Sequence, residues 1–436
     1  MEKAIIKAAQ DFIEKAKNKS VKIISHNDTD GITSAAIMAK TLQRLDIPFS
    51  IIILKQLEKE EIYKLPENEV LLFLDLGSSS LQDITKLKTD VFVIDHHEIP
   101  GEIPLNITLI NPHKFKEEDI SGAGLTYLFA KTINLENKDL ANLAVLGMVG
   151  DMLDREIGKL NNTILNDAEL IIKKGLLLYP ATRPINKTLE YSSIYIPGVT
   201  GNSRGAINLL KESGIEKTNG TYKSLLELTS EETSKLLTNI IVKRMKQENS
   251  DLIGNIYLIK FFNKLEDARE LSARINACSR LGHTDTALLL CLGDKESLAK
   301  SEKIYADYKQ HIISALNHVT IADKTEGKNY VIINAKNEIK DTIIGTIASI
   351  LSTSPNYEPG FIIIAMAYSG DKIKVSARIS GRNGRNLREL IQASLFKIPS
   401  ECGGHQQAAG CLIPREKEKE FIEALKKQLE VELVKI

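Results

Sequence analysis

The chain has 436 residues, which at about 150 residues per domain implies two or three domains. Hydrophobic residues make up 43% and charged residues 26%, enough apolar material for a packed core, and this excludes wholesale disorder. Lys plus Arg and Asp plus Glu both number 57, so the formal net charge is zero, which excludes a histone-like or tail-driven nucleic-acid binder but leaves room for a local basic cleft.

Met1 to Lys17 alternates charged and apolar residues, the pattern of an amphipathic helix and not of a signal peptide. The runs Val21 to Ser25, Phe49 to Leu54, Val70 to Leu76, Val91 to Ile94 and Ile107 to Ile110 are short and rich in aliphatic or β-branched residues. Continuous apolar strands of this kind belong to a parallel sheet covered on both faces. Thr33 to Arg44 and Leu81 to Leu87 read as helices between them, and strand–helix alternation predicts an α/β doubly wound sheet. Leu140 to Leu153 predicts a further long helix. The stretch from about 156 to 262 reads as a helical elaboration of the first domain, with helices over Ala168 to Leu178 and Leu225 to Gln247. Ile304, Tyr308, Ile312, Leu316 and Val319 recur at helical spacing and predict a helix over Glu296 to Val319, either one that connects two lobes or one buried within a domain. Strand signals return at Tyr330 to Ala335, Phe361 to Ala367 and Lys372 to Ile379, and an amphipathic helix, Pro414 to Val434, ends a smaller C-terminal α/β domain. No apolar run reaches the roughly 18 residues of a membrane span. The four cysteines, Cys278, Cys291, Cys402 and Cys411, form no CxxC pair, which argues against a disulfide framework or a zinc ribbon. A cytoplasmic protein with no membrane partner is expected.

Four polar clusters carry the chemistry. Ser25-His26-Asn27-Asp28-Thr29-Asp30-Gly31 follows the first strand, Leu74-Asp75-Leu76-Gly77 the third apolar run, and Asp95-His96-His97 the run Val91 to Ile94; Gly147-Met148-Val149-Gly150-Asp151 ends the long helix. In an open parallel sheet the carboxyl ends of the strands share one edge, where ligands bind. His26, Asp28, Asp30, Asp75, Asp95, His96, His97 and Asp151 are therefore expected to converge. A lone His-His pair or a lone Asp-x-Asp-Gly is more often a surface feature, a turn or a helix cap. Here the coincidence repeats at independent strand ends. Five gathered carboxylates repel one another unless cations neutralise them. Carboxylates mixed with imidazoles suit two Mn2+ ions, with Mg2+ as the substitute. Such a pair, about 3.5–4 Å apart, clamps both oxygens of an in-line displacement at phosphorus.

These clusters resemble the motif series of the DHH phosphoesterase superfamily, named for the triplet seen here as Asp95-His96-His97. Cys402-Gly403-Gly404-His405-Gln406-Gln407-Ala408-Ala409-Gly410 resembles the signature of the accompanying DHHA1 domain, with Cys402 where the usual run has a third glycine. Arg274-Ile275-Asn276-Ala277-Cys278-Ser279-Arg280-Leu281-Gly282 is similar to a RecJ-type motif, which separates the chain from the pyrophosphatase branch. The combination looks like an archaeal RecJ-like exonuclease and covers nearly the whole chain. The resemblance implies a DHH catalytic domain over residues 1–295, a connecting helix over 296–327 and a nucleic-acid-binding DHHA1 domain over 328–436.

It also implies roles. One metal would be held by His26, Asp28 and Asp75, the other by Asp30, Asp75, His96 and Asp151, with Asp75 bridging. Asp95 would orient an imidazole, and His97 would contact the scissile phosphate. Gly403 and Gly404 allow close backbone approach to a phosphate, His405 offers a donor, and Arg274, Arg280, Arg378, Arg382 and Arg385 are cations for neighbouring phosphates; Asn276 lies within the RecJ-type motif. Asn111-Pro112-His113 and Ser121-Gly122-Ala123-Gly124 resemble loops lining the cleft. The expected activity is a two-metal exonuclease releasing mononucleotides from single-stranded DNA or RNA, in DNA repair, replication or RNA processing. Two other readings stand beside it: a phosphodiesterase for short oligonucleotides or cyclic dinucleotides, and a replisome subunit associated with GINS, the latter disfavoured by the complete ligand set. Single-stranded nucleic acid, GINS or other replisome proteins, and a second copy of the chain form the expected partner set.

Overall fold

The computed structural model describes residues 1–155, 157–192, 194–244, 252–322, 324–354, 356–381, 384–396, 398–400 and 402–431. The chain folds as two compact units, Met1–Thr182 with Ile253–Tyr305, and Arg183–Leu252 with Ala306–Ile436.

The first unit is built on five parallel strands, β1 (Val21–His26), β2 (Phe49–Leu54), β3 (Val70–Leu74), β4 (Val91–Ile94) and β5 (Ile107–Ile110), in the order β2-β1-β3-β4-β5. Every residue of β3 and β4 is buried, as apolar runs covered on both faces should be. Alternation along β3 sends Val70, Leu72 and Leu74 into one core and Leu71 and Phe73 into the other. The first core is covered by the helices Glu2–Ala16, Thr29–Arg44, Gly122–Ile133 and Ala141–Gly150. Ala141–Gly150 is apolar nearly all round, so it sits buried in the middle of this layer. The short helices Lys59–Ile62 and Leu81–Ile84 contribute to the second core. With β1 between β2 and β3, the chain reverses direction across the sheet at the β1/β3 pair. That is the crevice at which doubly wound sheets bind ligands.

One expectation fails here. Residues 170–176 form a strand, β6 (Leu170–Leu176), not part of a helix over Ala168 to Leu178. It pairs antiparallel with β7 (Ile253–Phe261), which pairs with β8 (Lys264–Asp267), so the region carries a three-stranded sheet within what reads as a helical elaboration. Ile171-Ile172 is β-branched and Gly175 is a poor helix former, but Lys173-Lys174 and the leucines suit a helix equally well. The strand is decided by β7, some eighty positions along the chain, and local pattern carries no trace of that partner.

In the second unit, residues 183–252 contribute the helices Ile185–Glu190, Ser203–Glu212 and Ser230–Lys243, the last opened by a Thr229/Glu232 capping box. A 27-residue helix, Lys295–Ile321, spans the boundary between the units. It leads into a six-stranded sheet of β9 (Lys324–Gly327), β10 (Tyr330–Asn334), β11 (Ile362–Ser369), β12 (Lys372–Ile379), β13 (Cys402–Gly404) and β14 (Ala408–Pro414). The order is β13-β14-β12-β11-β10-β9, antiparallel except for β10/β11. Leu387–Ser394 and Glu418–Glu430 close its core. Among the described residues no helix is long and apolar enough to cross a membrane.

Candidate metal centre

The carboxyl ends of β1, β3 and β4 place the site. β1 ends on His26, Asp75 follows β3, and Asp95-His96-His97 follows β4. Asp28 is the N-cap of Thr29–Arg44, its carboxylate accepting from the Gly31 N–H at 3.0 Å. Asp30 lies in the first turn of the same helix and is fully buried; its two oxygens accept from the N–H groups of Gly122 and Ala123 at 2.5 and 2.9 Å. A second helix, Gly122–Ile133, therefore turns its N-terminus, with its unpaired donors and positive dipole end, onto this carboxylate. Asp151 is the C-cap of Ala141–Gly150. Asp75 has φ +57°, the left-handed region that Asp tolerates better than most residues, which turns the chain sharply at the end of β3. The glycines of the motifs are space requirements. A Cβ on Gly31 would stand 2.3 Å from the His26 carbonyl oxygen, and one on Gly147 would stand 2.3 Å from Asp30 Oδ1.

Two ligand groups, His26–Asp28–Asp75 and Asp30–His96–Asp151, have donor atoms within 4.8 Å of one another, and a third, Asp75–His96–His97, meets the same spacing while sharing Asp75 and His96 with them. His26 Nδ1 lies 2.8 Å from Asp28 Oδ2 and 3.6 Å from Asp75 Oδ2. His96 Nε2 lies 3.2 Å from Asp75 Oδ1, 3.2 Å from Asp151 Oδ2 and 3.8 Å from Asp30 Oδ2. Asp75 thus faces both groups, one oxygen to each. Asp95 stands outside them. Its carboxylate accepts from Ser78 N at 2.8 Å, from His96 N at 2.8 Å and from the His97 ring at Nδ1, 2.7 Å away. The His96 and His97 rings lie 4.5 Å apart.

The electrostatics are those of a site built to hold cations. Burial pushes Asp30 well above its ordinary value, and the nearby charges of Asp151 and Asp75 push it further. Burial, partly offset by His96, pushes Asp151 up to about 7. Burial alone would lower the two ligand imidazoles, but Asp28 and Asp75 hold His26 well above its usual range, and Asp75, Asp151 and Asp30 do the same for His96. Burial would raise Asp95, but the hydrogen bond and charge of His97 outweigh it and hold the carboxyl well below the carboxylate range. Asp75 is buried, and neither of its oxygens takes a hydrogen bond among the described residues. Its near polar neighbours are the His26 and His96 rings and other carboxylates, and a buried carboxylate so placed is unfavourable unless a positive charge, an imidazolium or a metal ion, lies against it. The donor set, four carboxylates and two imidazoles, fits Mn2+ or Mg2+.

Several residues of the motifs act as supports, through contacts that the motifs do not spell out. Ser25 Oγ donates to the Gly31 and Leu74 carbonyls, tying the ends of β1 and β3 together. Asn111 Nδ2 donates to the His97 carbonyl and to Ser78 Oγ. From the helix Ala268–Arg280, Asn276 Oδ1 accepts the Thr29 N–H at 2.9 Å and the Ser272 carbonyl accepts from Thr29 Oγ1 at 2.8 Å. Asn276 therefore clamps the backbone between Asp28 and Asp30. Ser121-Gly122-Ala123-Gly124, expected as a loop lining the cleft, is the capped start of the helix Gly122–Ile133, and its N–H groups meet Asp30.

The expected substrate residues are placed variously. Arg274 is buried, 1% exposed, with its guanidinium 3.8 Å from Glu302; it does not present a cation at the surface, because its helix turns that position inward. Arg280 ends the same helix, half-buried. In the second unit, Arg378 on β12 is half-buried and donates to Ser349 Oγ and the Ala377 carbonyl. Arg385 donates to the Gln428 and Leu429 carbonyls, satisfying the C-terminal end of Glu418–Glu430 in place of a phosphate. Gly403, Gly404 and His405 are exposed, and Gly404 has φ +115°, open to glycine alone at no strain. Arg382 lies outside the described residues.

Comparison with known proteins agrees with this architecture. Residues 20–148 match the DHH family N-terminal domain, 178–252 the DHH-CID domain and 327–431 the DHHA1 domain. The uncharacterised protein MJ0831 of Methanocaldococcus jannaschii is 32% identical over 421 residues, 92% of this chain and 91% of that protein. The single-stranded-DNA-specific exonuclease RecJ of Bacillus subtilis is 22% identical over 94% of this chain but only 46% of its own length, so the chain spans about half of that relative. In fold it is similar to RecJ of Thermus thermophilus in complex with Mn2+ (TM-score 0.63, 18% identity, 99% of this chain and 55% of that one). It is also similar to CDC45 of Entamoeba histolytica (TM-score 0.68, 12% identity, 99% of both). The chain belongs to the DHH/DHHA1 superfamily, and RecJ is among the proteins it is similar to.

Proposed function

We propose that the chain is a two-metal exonuclease that hydrolyses phosphodiester bonds of single-stranded DNA or RNA and releases mononucleotides. The observation that carries this reading is the pair of ligand groups joined through Asp75. In it, His26, Asp28 and Asp75 hold one Mn2+, and Asp30, Asp75, His96 and Asp151 hold the other; the same donors accept Mg2+. When bound, the ions polarise the phosphoryl oxygens and make water nucleophilic at neutral pH. The protein's own residues supply position and protons. Asp95 fixes the His97 ring through Nδ1 and, outweighing burial, raises its pKa. His97 Nε2–H is then left as a charge-assisted donor to an oxygen of the scissile phosphate. Asn276 holds the Asp28–Asp30 turn and acts as a positioning residue. Arg280, Arg378, Gly403, Gly404 and His405 are the proposed contacts to the rest of the strand.

The test uses 5′- and 3′-labelled single-stranded DNA and RNA with Mn2+, Mg2+ or a chelator. Mononucleotides should appear with the metals and vanish with the chelator. Asp75→Asn should slow their release by at least about a hundredfold, the upper range for losing even an outer partner of a metal ligand. Undiminished release from that variant or in chelator overturns the reading. Faster turnover of dinucleotides than of long strands would replace it with a short-oligonucleotide phosphodiesterase.

A further inference from the structure

The departure from the glycine run at Cys402 gains a meaning from the strand register. Cys402 on β13 stands directly opposite Cys411 on β14, with Gly403 opposite Gly410 and Gly404 opposite Ala409. Beyond them the strands join through Gln406-Gln407, where the His405 N–H donates to the Ala408 carbonyl at 2.7 Å. This makes 405/408 a hydrogen-bonded pair. Opposed pairs alternate along an antiparallel ladder, so 404/409 is non-hydrogen-bonded, 403/410 hydrogen-bonded and 402/411 non-hydrogen-bonded. Non-hydrogen-bonded partners have Cα atoms about 4.5 Å apart and their side chains closest. That spacing falls inside the roughly 4.4–6.8 Å range of disulfides. Both side chains point to the same core: Cys411 is buried in it, and Cys402 is half-buried against it. β13 is the edge strand of its sheet, so it has neighbours on one side only.

We propose that Cys402 and Cys411 form an oxidisable dithiol, a modification site for small disulfides of the glutathione class. Burial pushes both thiols above their ordinary value, Cys411 the further, so the exchange is run at alkaline pH. The Cys402 thiolate attacks one sulfur of the small disulfide, forming a mixed disulfide and expelling one small thiolate. The Cys411 thiolate then attacks Cys402 Sγ, closing the protein disulfide and expelling the second. Two protein thiols are oxidised, one small disulfide is reduced to two thiols, and the two protons from the cysteines end on the released thiolates. The bond would tie the edge strand carrying Gly403 and Gly404 to β14. This chemistry needs no nucleic acid or metal ion, so it stands apart from the nuclease reading.

The experiment treats the full chain with excess oxidised glutathione, blocks the remaining thiols under denaturing conditions and maps the peptides by mass. Of the four free cysteines, two should be lost, the product should be two hydrogens lighter, and one linked peptide should join residues 402 and 411. Excess reduced glutathione should restore all four. Cys411→Ser should stop at a mixed disulfide on Cys402. Retention of four thiols, a wild-type chain halted at the mixed disulfide, or a link through Cys278 or Cys291 overturns the proposal. Hydrogen exchange of the oxidised and reduced forms checks that the sheet stays folded in both.

Discussion

Binding of Mn2+ to the chelator-stripped chain should displace protons, and the geometry says which. Asp151 is pushed up to about 7, and Asp30, His26 and His96 stand well above their ordinary values. Each must be deprotonated to ligate an ion. One displaced proton changes affinity tenfold per pH unit. Asp151 alone should therefore tighten the apparent Kd about fiftyfold between about pH 5 and pH 7, about 2.3 kcal/mol, and the other three groups add to the slope. The stability sign follows. These folded-state pKa values lie above the unfolded ones, about 3.9 for Asp and about 6.5 for His. Each group therefore contributes stability that is full below its unfolded value and lost as the pH rises through its folded value. Asp28 and Asp95 are held well below the carboxylate range, so their contribution is lost only in strong acid, outside this window. Across the cluster, the metal-free chain loses stability from about pH 4, the unfolded Asp value, through about pH 7 for Asp151, with His26 and His96 adding to the loss above about pH 6.5, and the increase in Tm on adding Mn2+ grows as the pH rises through that range. Calorimetric titration in two buffers of different protonation enthalpy counts the protons, and a thermal melt at fixed Mn2+ gives the increments. An affinity that stays flat from about pH 5 to pH 7 refutes the reasoning, because the perturbed groups would then not be the ones that meet the ion.

Three substitutions probe the supports. Gly147→Ala places a methyl 2.3 Å from Asp30 Oδ1 and 2.5 Å from Ala123 Cβ, so denaturant melts should show a loss of about 1–3 kcal/mol together with weaker Mn2+ binding; wild-type values for both would contradict the packing argument. Asn276→Ala leaves the Thr29 N–H without its acceptor and should weaken Mn2+ binding about tenfold or more, whereas Asn276→Asp, which keeps an accepting oxygen, should retain most of the hold on that N–H. Asp95→Asn should reduce turnover about 10–100-fold while leaving Mn2+ affinity nearly unchanged, since Asp95 lies outside all three ligand-spaced groups and holds His97 for the phosphate; an equal loss of metal affinity would make His97, which it orients, a ligand instead.

Much of the centre is readable along the chain because its parts are local. The strands Phe49–Leu54, Val91–Ile94 and Ile107–Ile110 fall on the apolar runs read from sequence, residue for residue. Parallel strands hidden on both faces need uninterrupted aliphatic residues, and that requirement is written in the run itself. The ligands His26, Asp75 and His96 sit at the carboxyl ends of Val21–His26, Val70–Leu74 and Val91–Ile94 because the strand ends are where the sheet opens. The residues that hold the ligands in place are less visible. Asn276 reaches Thr29 across 247 positions, and Gly122 reaches Asp30 across 92, through single hydrogen bonds that leave no periodic mark. Arg274 and Arg385 carry the charge expected of phosphate contacts, yet the fold turns one into the core and the other onto a helix end.

What the sequence alone determined is the parallel sheet, its polar rim and the identity of the acids and imidazoles along it, since hydrophobic period and residue chemistry are properties of neighbours. Only the tertiary structure decided that residues 170–176 are a strand, that Asn276 holds the Thr29 N–H, and that Cys402 meets Cys411. Those outcomes depend on which distant segment arrives alongside, and pairing between remote strands is set by the packing of the whole chain, not by the residues at either end of the contact.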